Sequence, residues 1–191
     1  LSQLKSLRMK NGLGRTTTHQ IPTFEEFLLA AKGRIMIDVD KGYPYFKDVI
    51  ALVQKHNMEK QVIINIDSDI SLNQVLQDQG NIADDLILMP IINLNKPNYQ
   101  AIAASYLTRK NTVFQPVFKT IDNTALAYMA ALQKDGFNVW YNSLWPSLNA
   151  GHDDDTAVEE NKKDETWGWL IKQGATLLQT DRPQELLEYL H

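Results

Sequence analysis

The chain has 191 residues, of which 43% are hydrophobic, 22% charged and 9% aromatic. This composition is typical of a globular domain and excludes a disordered or fibrous protein. A formal net charge of −4 provides no basic surface for nucleic acid or for an anionic membrane. The absence of cysteine excludes disulfides and thiolate metal sites but leaves both cytoplasmic and exported locations open. No apolar run approaches the ~20 residues of a membrane span, so we expect one soluble domain over residues 1–191.

Residues 1–20 are predicted to form a surface connection, because Asn11-Gly12 and Gly14 are turn signals. The βα units are expected over residues 21–191. Thr23 and Glu26, three residues apart in the segment IPTFEEFL, form a capping box ahead of an apolar face. This pattern predicts a helix that ends near Gly33.

Six short apolar runs rich in β-branched residues predict six strands. In chain order they are Arg34–Asp40, Gln61–Ile66, Asp85–Ile92, Thr112–Phe118, Phe137–Asn142 and Ala175–Thr180. Between them, apolar residues recur at helical spacing. Four helices are indicated in this way, by Phe46, Val49, Ile50 and Val53; by Leu72, Val75 and Leu76; by Tyr99, Ile102, Ala103 and Tyr106; and by Leu126, Met129, Ala130 and Leu132. The near-continuous hydrophobicity of the strands indicates a sheet covered on both faces, which is typical of parallel sheets.

The predicted strands start at residues 34, 61, 85, 112, 137 and 175, so most units have a similar length. A near-constant step favours a (β/α)₈ barrel, which repeats a unit of about 30 residues, over an open doubly wound sheet, which tolerates uneven units. Six units fall about two short of eight. The sequence therefore predicts an incomplete TIM-type barrel with six parallel strands. The last step contains one long loop, Ser143–Asp155, and loops of this length are usually functional.

In a parallel barrel the active site lies at the carboxyl ends of the strands. The first predicted strand ends in Asp38 and Asp40, and the period of two places both side chains on one face. Carboxylates in this arrangement can share a hard cation such as Mg²⁺ or Ca²⁺. Asp40 has the alternative of capping the next helix or pairing with Lys41. At the end of the second strand, Asp69 or Ser71 is better explained as the N-cap of the following helix.

Four further residues are candidates for substrate binding. Lys119 lies in phase with the end of the fourth strand, where a cation can meet a phosphate or a carboxylate; a solvated lysine is the equal alternative. Trp140, Asn142 and Trp145 cluster around the end of the fifth strand. Tryptophan beside polar groups suits an amphipathic ligand, although packing under the loop explains each indole equally well.

The acidic run His152–Asp155 is a weaker metal candidate, because such runs are more often solvated loops whose last aspartate caps a helix. Asp181 is predicted to cap the final helix, with Pro183 near its start. The remaining histidines do not suggest a catalytic pair: His19, His56 and His191. No GxGxxG, GxxxxGK[ST], GxSxG or HExxH motif occurs, which argues against nucleotide-binding and serine-hydrolase functions.

Several segments together resemble the glycerophosphodiester phosphodiesterase family. They are residues 21–28 (IPTFEEFL), Gly33 followed by a strand that ends in acids and Lys41, residues 142–157 (NSLWPSLNAGHDDDTA) and residues 174–190 (GATLLQTDRPQELLEYL). The most specific of them is the pattern G-x-x-x-x-Q-T-D-R-P. The resemblance extends in order from about Ile21 to the end of the chain.

The resemblance implies a (β/α)₈ barrel that hydrolyses glycerophosphodiesters with a divalent cation and two histidines as acid and base. The family's His-Arg-Gly segment, its Glu and Asp metal ligands on the first two strands and its second histidine are not found in this chain. Its third-strand motif Glu-x-Lys is altered, with Asp38 at the Glu position, Asp40 at the Lys position and Lys41 displaced by one. Asp38 therefore inherits the metal role, and Asp40 becomes a second candidate ligand.

Two functional hypotheses follow. In the first, the chain is the C-terminal part of a phosphodiesterase, inactive by itself, that converts a small glycerophosphodiester to an alcohol and glycerol 3-phosphate. An N-terminal fragment or another chain is then expected to cover the open barrel edge. In the second, the chain is a non-catalytic binding or interaction module derived from the barrel. The resemblance implies a periplasmic or secreted location, with the cytoplasm still open.

Overall fold

A computed structural model describes residues 1–191 and contains six strands alternating with helices. The strands are β1 (Ile37–Val39), β2 (Val62–Ile66), β3 (Ile87–Asn93), β4 (Val113–Val117), β5 (Asn138–Asn142) and β6 (Leu177–Gln179). The helices are α1 (Ser2–Ser6), α2 (Phe24–Ala31), α3 (Phe46–Lys55), α4 (Leu72–Gln79), α5 (Tyr99–Ser105), α6 (Asn123–Lys134), α7 (Asp154–Val158), α8 (Trp167–Lys172) and α9 (Pro183–Leu190). None of these helices combines the length and apolarity needed to cross a membrane.

The six strands form one parallel sheet in the order in which they occur along the chain. Each strand pairs in parallel with the next. A doubly wound sheet would reverse its strand order at a switch point, and this sheet does not. The sheet curls into a half-barrel, which confirms the predicted incomplete α/β barrel with six parallel strands.

Both ends of the half-barrel are free strand edges, because β1 pairs only with β2 and β6 only with β5. The first strand is shorter than predicted: it begins at Ile37, and the residues before it, Ile35 and Met36, are 60% and 53% exposed. Apolar character alone predicted Arg34–Asp40 as a strand. Pairing with β2 begins only at the Ile37–Val62 register, so the preceding residues have no strand partner.

Side chains alternate between the two faces of the half-barrel, since successive residues of a strand point to opposite sides. On β2, one set of side chains packs against the surrounding helices and is fully buried: Val62, Ile64 and Ile66. Burial of each such side chain contributes about 1.5–3 kcal/mol of hydrophobic stabilisation. The outer face of the sheet is therefore the main core.

The concave face changes character along the strands. Ile63, Met89 and Val113 form a small apolar cluster against which Trp140 packs. Polar side chains such as Asn65 follow toward the carboxyl ends. The fold thus places its inward-facing polar groups at the end of the barrel where active sites are built.

Helix α2 begins with the predicted capping box. The Thr23 hydroxyl accepts a hydrogen bond from the Glu26 backbone N–H at 3.1 Å, and the Glu26 carboxylate accepts one from the Thr23 backbone N–H at 2.7 Å. Thr23→Ala should lower the free energy of unfolding by about 1 kcal/mol, because a helix N-terminal N–H loses its acceptor. Urea unfolding measures this change. Thr18→Ala, at an exposed position before the helix, is the control, and equal losses in both variants would contradict the capping role.

Residues 1–20 lie on the surface, as predicted, and contain more structure than the sequence indicated. They include α1 and an antiparallel bridge between Lys10 and Thr16. Within that hairpin the Asn11 side chain accepts hydrogen bonds from the backbone N–H groups of Leu13 and Arg15, both at 3.0 Å. The turn signal at Asn11 therefore serves a local hairpin.

The acidic run after β5 is not simply a solvated loop, because Asp154 is only 3% exposed. Its Oδ1 accepts hydrogen bonds from the Ser143 hydroxyl at 2.6 Å and the Trp167 indole N–H at 2.8 Å. Its Oδ2 accepts from the Thr180 hydroxyl at 2.9 Å and the Asp181 backbone N–H at 2.7 Å. The Asp154 carboxylate thus joins the loop after β5 to α8 and to the end of β6.

Two predicted helix caps are corrected by the structure. Asp153, not Asp155, caps α7 by accepting from the backbone N–H three residues on, at 3.2 Å, while Asp155 pairs with Arg182. Asp181 does not cap α9; Arg182 occupies the N-cap position without a side-chain bond, and Pro183 begins the helix as predicted. The backbone N–H of Asp181 is instead bound to the buried carboxylate described above.

Candidate functional site

A cavity of about 500 Å³ opens at the carboxyl ends of the strands. Each strand contributes at least one residue to its wall: Asp38, Asn65, Ile91, Gln115, Asn142 and Gln179. The loops that follow the strands complete it and include Asp40, Lys41, Asp67 and Trp145. This is the end of a parallel barrel at which active sites form, so the cavity is the candidate site.

A larger depression, of about 620 Å³, lies between the segments that follow β3 and β4. Its only charged residues are Lys96 and Asp122. Asp122 caps α6, and Lys96 forms an ion pair with Asp69. Because both charges have structural partners, this depression is a weaker candidate than the strand-end cavity.

Asp38 and Asp40 both line the strand-end cavity. Burial, followed by the neighbouring charge of Asp40, raises the pKa of Asp38 to about 6, and a hydrogen bond from Asn65 opposes the shift. Asn65 Nδ2 lies 3.5 Å from Asp38 Oδ2, whereas Asp38 Oδ1 is buried without a partner. Such an oxygen is an acceptor that a cation or a proton donor can satisfy.

The turn after β1 fixes the position of these carboxylates. Lys41 has a φ of 54°, in the left-handed region. Gly42 has no room for a side chain, since a Cβ there would lie 2.9 Å from Val39 Cγ1. The chain therefore turns sharply just after Asp40. Lys41, in this turn, is the only basic residue of the cavity wall.

The raised pKa of Asp38 implies that the free energy of unfolding depends on pH. The carboxyl ionises near pH 3.8 in the unfolded chain and near pH 6 in the folded chain. The folded state therefore favours the protonated carboxyl. The stability gained in this way is complete below pH 3.8 and is lost as the pH rises through 6. Asp38→Asn should raise the free energy of unfolding at pH 8 by about 1–2 kcal/mol, less than the full value of the shift because the side chain is partly exposed.

Urea unfolding at pH 8 and at pH 4 measures the effect of Asp38→Asn. The gain should be much smaller at pH 4, where the folded protein already holds a protonated Asp38. Asp48→Asn, at an exposed position of α3, is the matched control. An equal gain at both pH values would contradict the assignment of the raised pKa to Asp38.

A third carboxylate of the cavity, Asp67, follows β2. Its neighbours have other roles. Ser71 caps α4 by accepting from the Gln74 backbone N–H at 3.3 Å, which confirms a predicted cap. Asp69 pairs with Lys96. Asp67 was not predicted as a site residue, because the polar residues after β2 were interpreted as helix caps.

The wall formed by β4, β5 and β6 carries side-chain amides. Gln179 Oε1 accepts hydrogen bonds from Asn142 Nδ2 at 2.9 Å, the Trp140 indole N–H at 3.2 Å and Gln115 Nε2 at 3.5 Å. Asn142 Oδ1 accepts from the Leu144 backbone N–H at 2.9 Å. These bonds fix the orientation of Gln115, Asn142 and Gln179, which we call the amide cluster.

The four residues predicted to bind substrate lie in different places. Asn142 and Trp145 line the cavity, with Trp145 58% exposed. Trp140 lies deeper, where its indole packs on the apolar cluster and donates to the amide cluster. Lys119 lines a separate depression of about 340 Å³. It lies two residues after the end of β4 at Val117, so the strand phase that was used to predict its direction does not extend to it. A substrate-binding role for these residues stays a prediction.

No histidine lines the cavity. His152 stacks on Trp169 with ring centroids 3.8 Å apart, and its Nδ1 lies 2.7 Å from the Glu165 carbonyl oxygen. His56 bonds to Glu25 at 2.8 Å on the outer surface. No group of three or more His, Cys, Asp or Glu residues is arranged to hold a metal ion. The cavity therefore offers carboxylates and amides but no imidazole.

The fold and the cavity define an incomplete TIM-like barrel with an acidic, amide-lined site at its strand ends. The chain belongs to the family DUF4996, described as a domain of unknown function, whose model matches residues 88–190. No curated protein matches it. Among solved structures it is similar to a glycerophosphoryl diester phosphodiesterase from Parabacteroides distasonis ATCC 8503, with a TM-score of 0.66 and 19% identity. The match covers 98% of this chain and 61% of that chain, so this chain spans about three fifths of that protein's length.

Similarity at this level of identity shows a shared fold. The family match begins in β3, so it includes the amide cluster and Asp154 but not Asp38 or Asp40. The role of Asp38, Asp40 and Asp67, which we call the carboxylate wall, therefore has to be assigned from the geometry of this chain.

Proposed function

We propose that the chain forms six βα units of a glycerophosphodiester phosphodiesterase. Such an enzyme hydrolyses a glycerophosphodiester: water attacks phosphorus, the P–O bond to the leaving alcohol breaks, and the products are the alcohol and glycerol 3-phosphate. The observation that supports this most is the position of Asp38 and Asp40 in the strand-end cavity of a half-barrel that shares its fold with a phosphodiesterase. The family-like segments at residues 21–28 and 174–190 support the same assignment.

The carboxylate wall suits a divalent cation such as Mg²⁺ or Ca²⁺. Both ions prefer carboxylate, amide and water oxygens, and Asp38 Oδ1 and Asn65 Oδ1 are buried oxygens without partners. Asp40 and Asp67 add two carboxylates to the same wall. When bound there, the cation would offset negative charge on the phosphodiester oxygens. Lys41 adds a positive charge at the mouth of the cavity.

The proposed enzyme requires two further βα units to close the barrel. Exposed apolar side chains lie near both ends of the half-barrel: Phe27, Ile35 and Met36 around β1, and Leu177, Leu187 and Leu190 on β6 and α9. Added units would cover these side chains and pair the free strand edges, which otherwise attract other chains. We expect them to come from an N-terminal segment of the same polypeptide or from another chain.

The added units must also supply the acid and the base. Attack by water requires a proton acceptor, and departure of the alcohol requires a proton donor. No imidazole of this chain lies in the cavity, and His152 is held away from it by its stacking on Trp169. The residues of this chain are therefore assigned to cation and substrate binding, and proton transfer is assigned to the added units.

The test compares the isolated chain with the product of the complete gene. The isolated chain should not release glycerol 3-phosphate from glycerophosphocholine or glycerophosphoethanolamine with Mg²⁺ or Ca²⁺ present, whereas the complete product should. An acid and a base each contribute typically 10²–10⁴-fold, so the rates should differ by at least about 10⁴-fold. Intact mass establishes which residues each preparation contains.

Equal rates for the two proteins would contradict the proposal, because the catalytic groups would then lie among residues of this chain. If the complete product binds a cation but hydrolyses no glycerophosphodiester, the alternative of a non-catalytic binding module gains support. The absence of a histidine from the cavity favours that alternative.

A further inference from the structure

The two sides of the strand-end cavity differ in charge. Its three carboxylates are Asp38 on β1, Asp40 just after β1 and Asp67 just after β2, whereas the amide cluster lies on β4, β5 and β6. The sequential strand order puts β3 between the two groups. One side is anionic, and the other is neutral but polar.

The neutral side has hydrogen-bonding capacity that the protein does not use. Gln115 Oε1 is a buried acceptor without a partner, in a residue that is 6% exposed. The three hydrogen bonds to the Gln179 amide all use Oε1, so its Nε2 remains available as a donor. A buried acceptor is costly unless a ligand or a water satisfies it.

Hydroxyl groups match this set of atoms, because each hydroxyl both donates and accepts a hydrogen bond. A ligand with neighbouring hydroxyls can donate to Gln115 Oε1 and accept from Gln179 Nε2. The exposed indole of Trp145 offers an apolar surface at the same side of the cavity. We infer that the amide cluster binds a polyhydroxylated leaving alcohol, such as a cyclic polyol or a sugar.

A quaternary ammonium alcohol matches the amide cluster less well. Its cationic head has no N–H or O–H to donate, so Gln115 Oε1 would stay unsatisfied, and the donor side of the Gln179 amide repels positive charge. Aromatic cages for such cations use several rings, whereas Trp145 is the only aromatic residue of the cavity wall. The hydrogen-bonding groups of the amide cluster therefore favour a polyhydroxylated leaving alcohol over a quaternary ammonium alcohol.

This inference rests on the proposed function for the reaction, but binding tests it separately. Saturation-transfer NMR measures binding of myo-inositol and of choline to the isolated chain and to the product of the complete gene. We expect binding of myo-inositol in preference to choline. Gln179→Glu keeps an acceptor for the three internal donors and removes the free N–H, so it should weaken myo-inositol binding roughly tenfold. Gln184→Leu, at an exposed position of α9, should have no effect.

Activity provides the second readout. The glycerol arm is common to all glycerophosphodiesters, so the ratio of kcat/KM values for glycerophosphoinositol and glycerophosphocholine reports on the leaving alcohol. The ratio should be at least about ten in the complete gene product and should fall toward one in Gln179→Glu, since one hydrogen bond is lost. Urea unfolding of each variant separates loss of binding from loss of folding.

The outcomes separate this inference from the proposed function. Binding of myo-inositol that depends on Gln179, without hydrolysis of any diester, would support the inference and contradict the proposed function. Hydrolysis with equal kcat/KM for both diesters would overturn the inference and leave the proposed function in place. If myo-inositol binds neither protein and Gln179→Glu lowers only stability, the amide cluster serves packing in the closed barrel, and the inference is wrong.

Discussion

Asp154→Ala should lower the free energy of unfolding by about 3–5 kcal/mol, which is a large part of the stability of a domain of this size. The substitution removes one carboxylate that accepts four hydrogen bonds, from Ser143, Trp167, Thr180 and Asp181. The residue is 3% exposed, so water cannot readily replace its carboxylate. Several of these donors would remain buried without an acceptor, and each such group is costly.

Urea or thermal unfolding of Asp154→Ala measures the loss. The neighbouring Asp155→Ala is a matched control, because the Asp155 side chain is 79% exposed and its ion pair with Arg182 lies at the surface. Surface pairs of this kind contribute about 0–1 kcal/mol. Similar losses for the two variants would show that Asp154 does not join the loop after β5 to β6 and α8.

The architecture could be predicted from the sequence because the strands are apolar on both faces. Residues 62–66 of β2 are all buried, as expected for a strand between helices and a concave cluster. The alternation with amphipathic helices then determined the fold class. The extent of β1 could not be predicted, because apolar Ile35 and Met36 resemble strand residues and only the position of the β2 partner excludes them.

The candidate site was predicted only in part, and the reason is physical. Asp38 and Asp40 were identifiable because two carboxylates at period two on a strand end lie on the same face by local geometry alone. The amide cluster depends on contacts between distant segments: Gln115 and Gln179 are separated by 64 positions in sequence. A single glutamine in an apolar strand gives no sign of such a partner.

Asp154 illustrates the same limit in a structural role. Its sequence context, among three consecutive aspartates, is typical of a solvated loop. Its burial is determined by donors 11 to 27 positions away, on the loop after β5, on α8 and at the end of β6. A local pattern could identify the acidic run but not which of its members is buried.

Asp38→Asn in the complete gene product should lower kcat/KM for glycerophosphodiester hydrolysis by at least about 100-fold. The variant keeps the size of the side chain but removes the charge that would hold the cation, and even groups that only support a metal ligand typically contribute 10–100-fold. The dependence of the rate on Mg²⁺ or Ca²⁺ concentration should shift to higher concentrations. Asp48→Asn on the outer helix α3 is the control and should leave both quantities unchanged.

The effects of Asp38→Asn on activity and on stability should have opposite signs. A carboxylate with a raised pKa and an unpartnered buried oxygen destabilises the folded chain at neutral pH, so its removal should stabilise the protein while abolishing activity. Such a trade-off is expected at a functional site. Both oxygens of Asp154 accept hydrogen bonds within the protein, so replacing Asp154 should instead lower the free energy of unfolding. If Asp38→Asn retains full activity at saturating Mg²⁺ or Ca²⁺, Asp38 is not a cation ligand and the carboxylate wall must be reassigned.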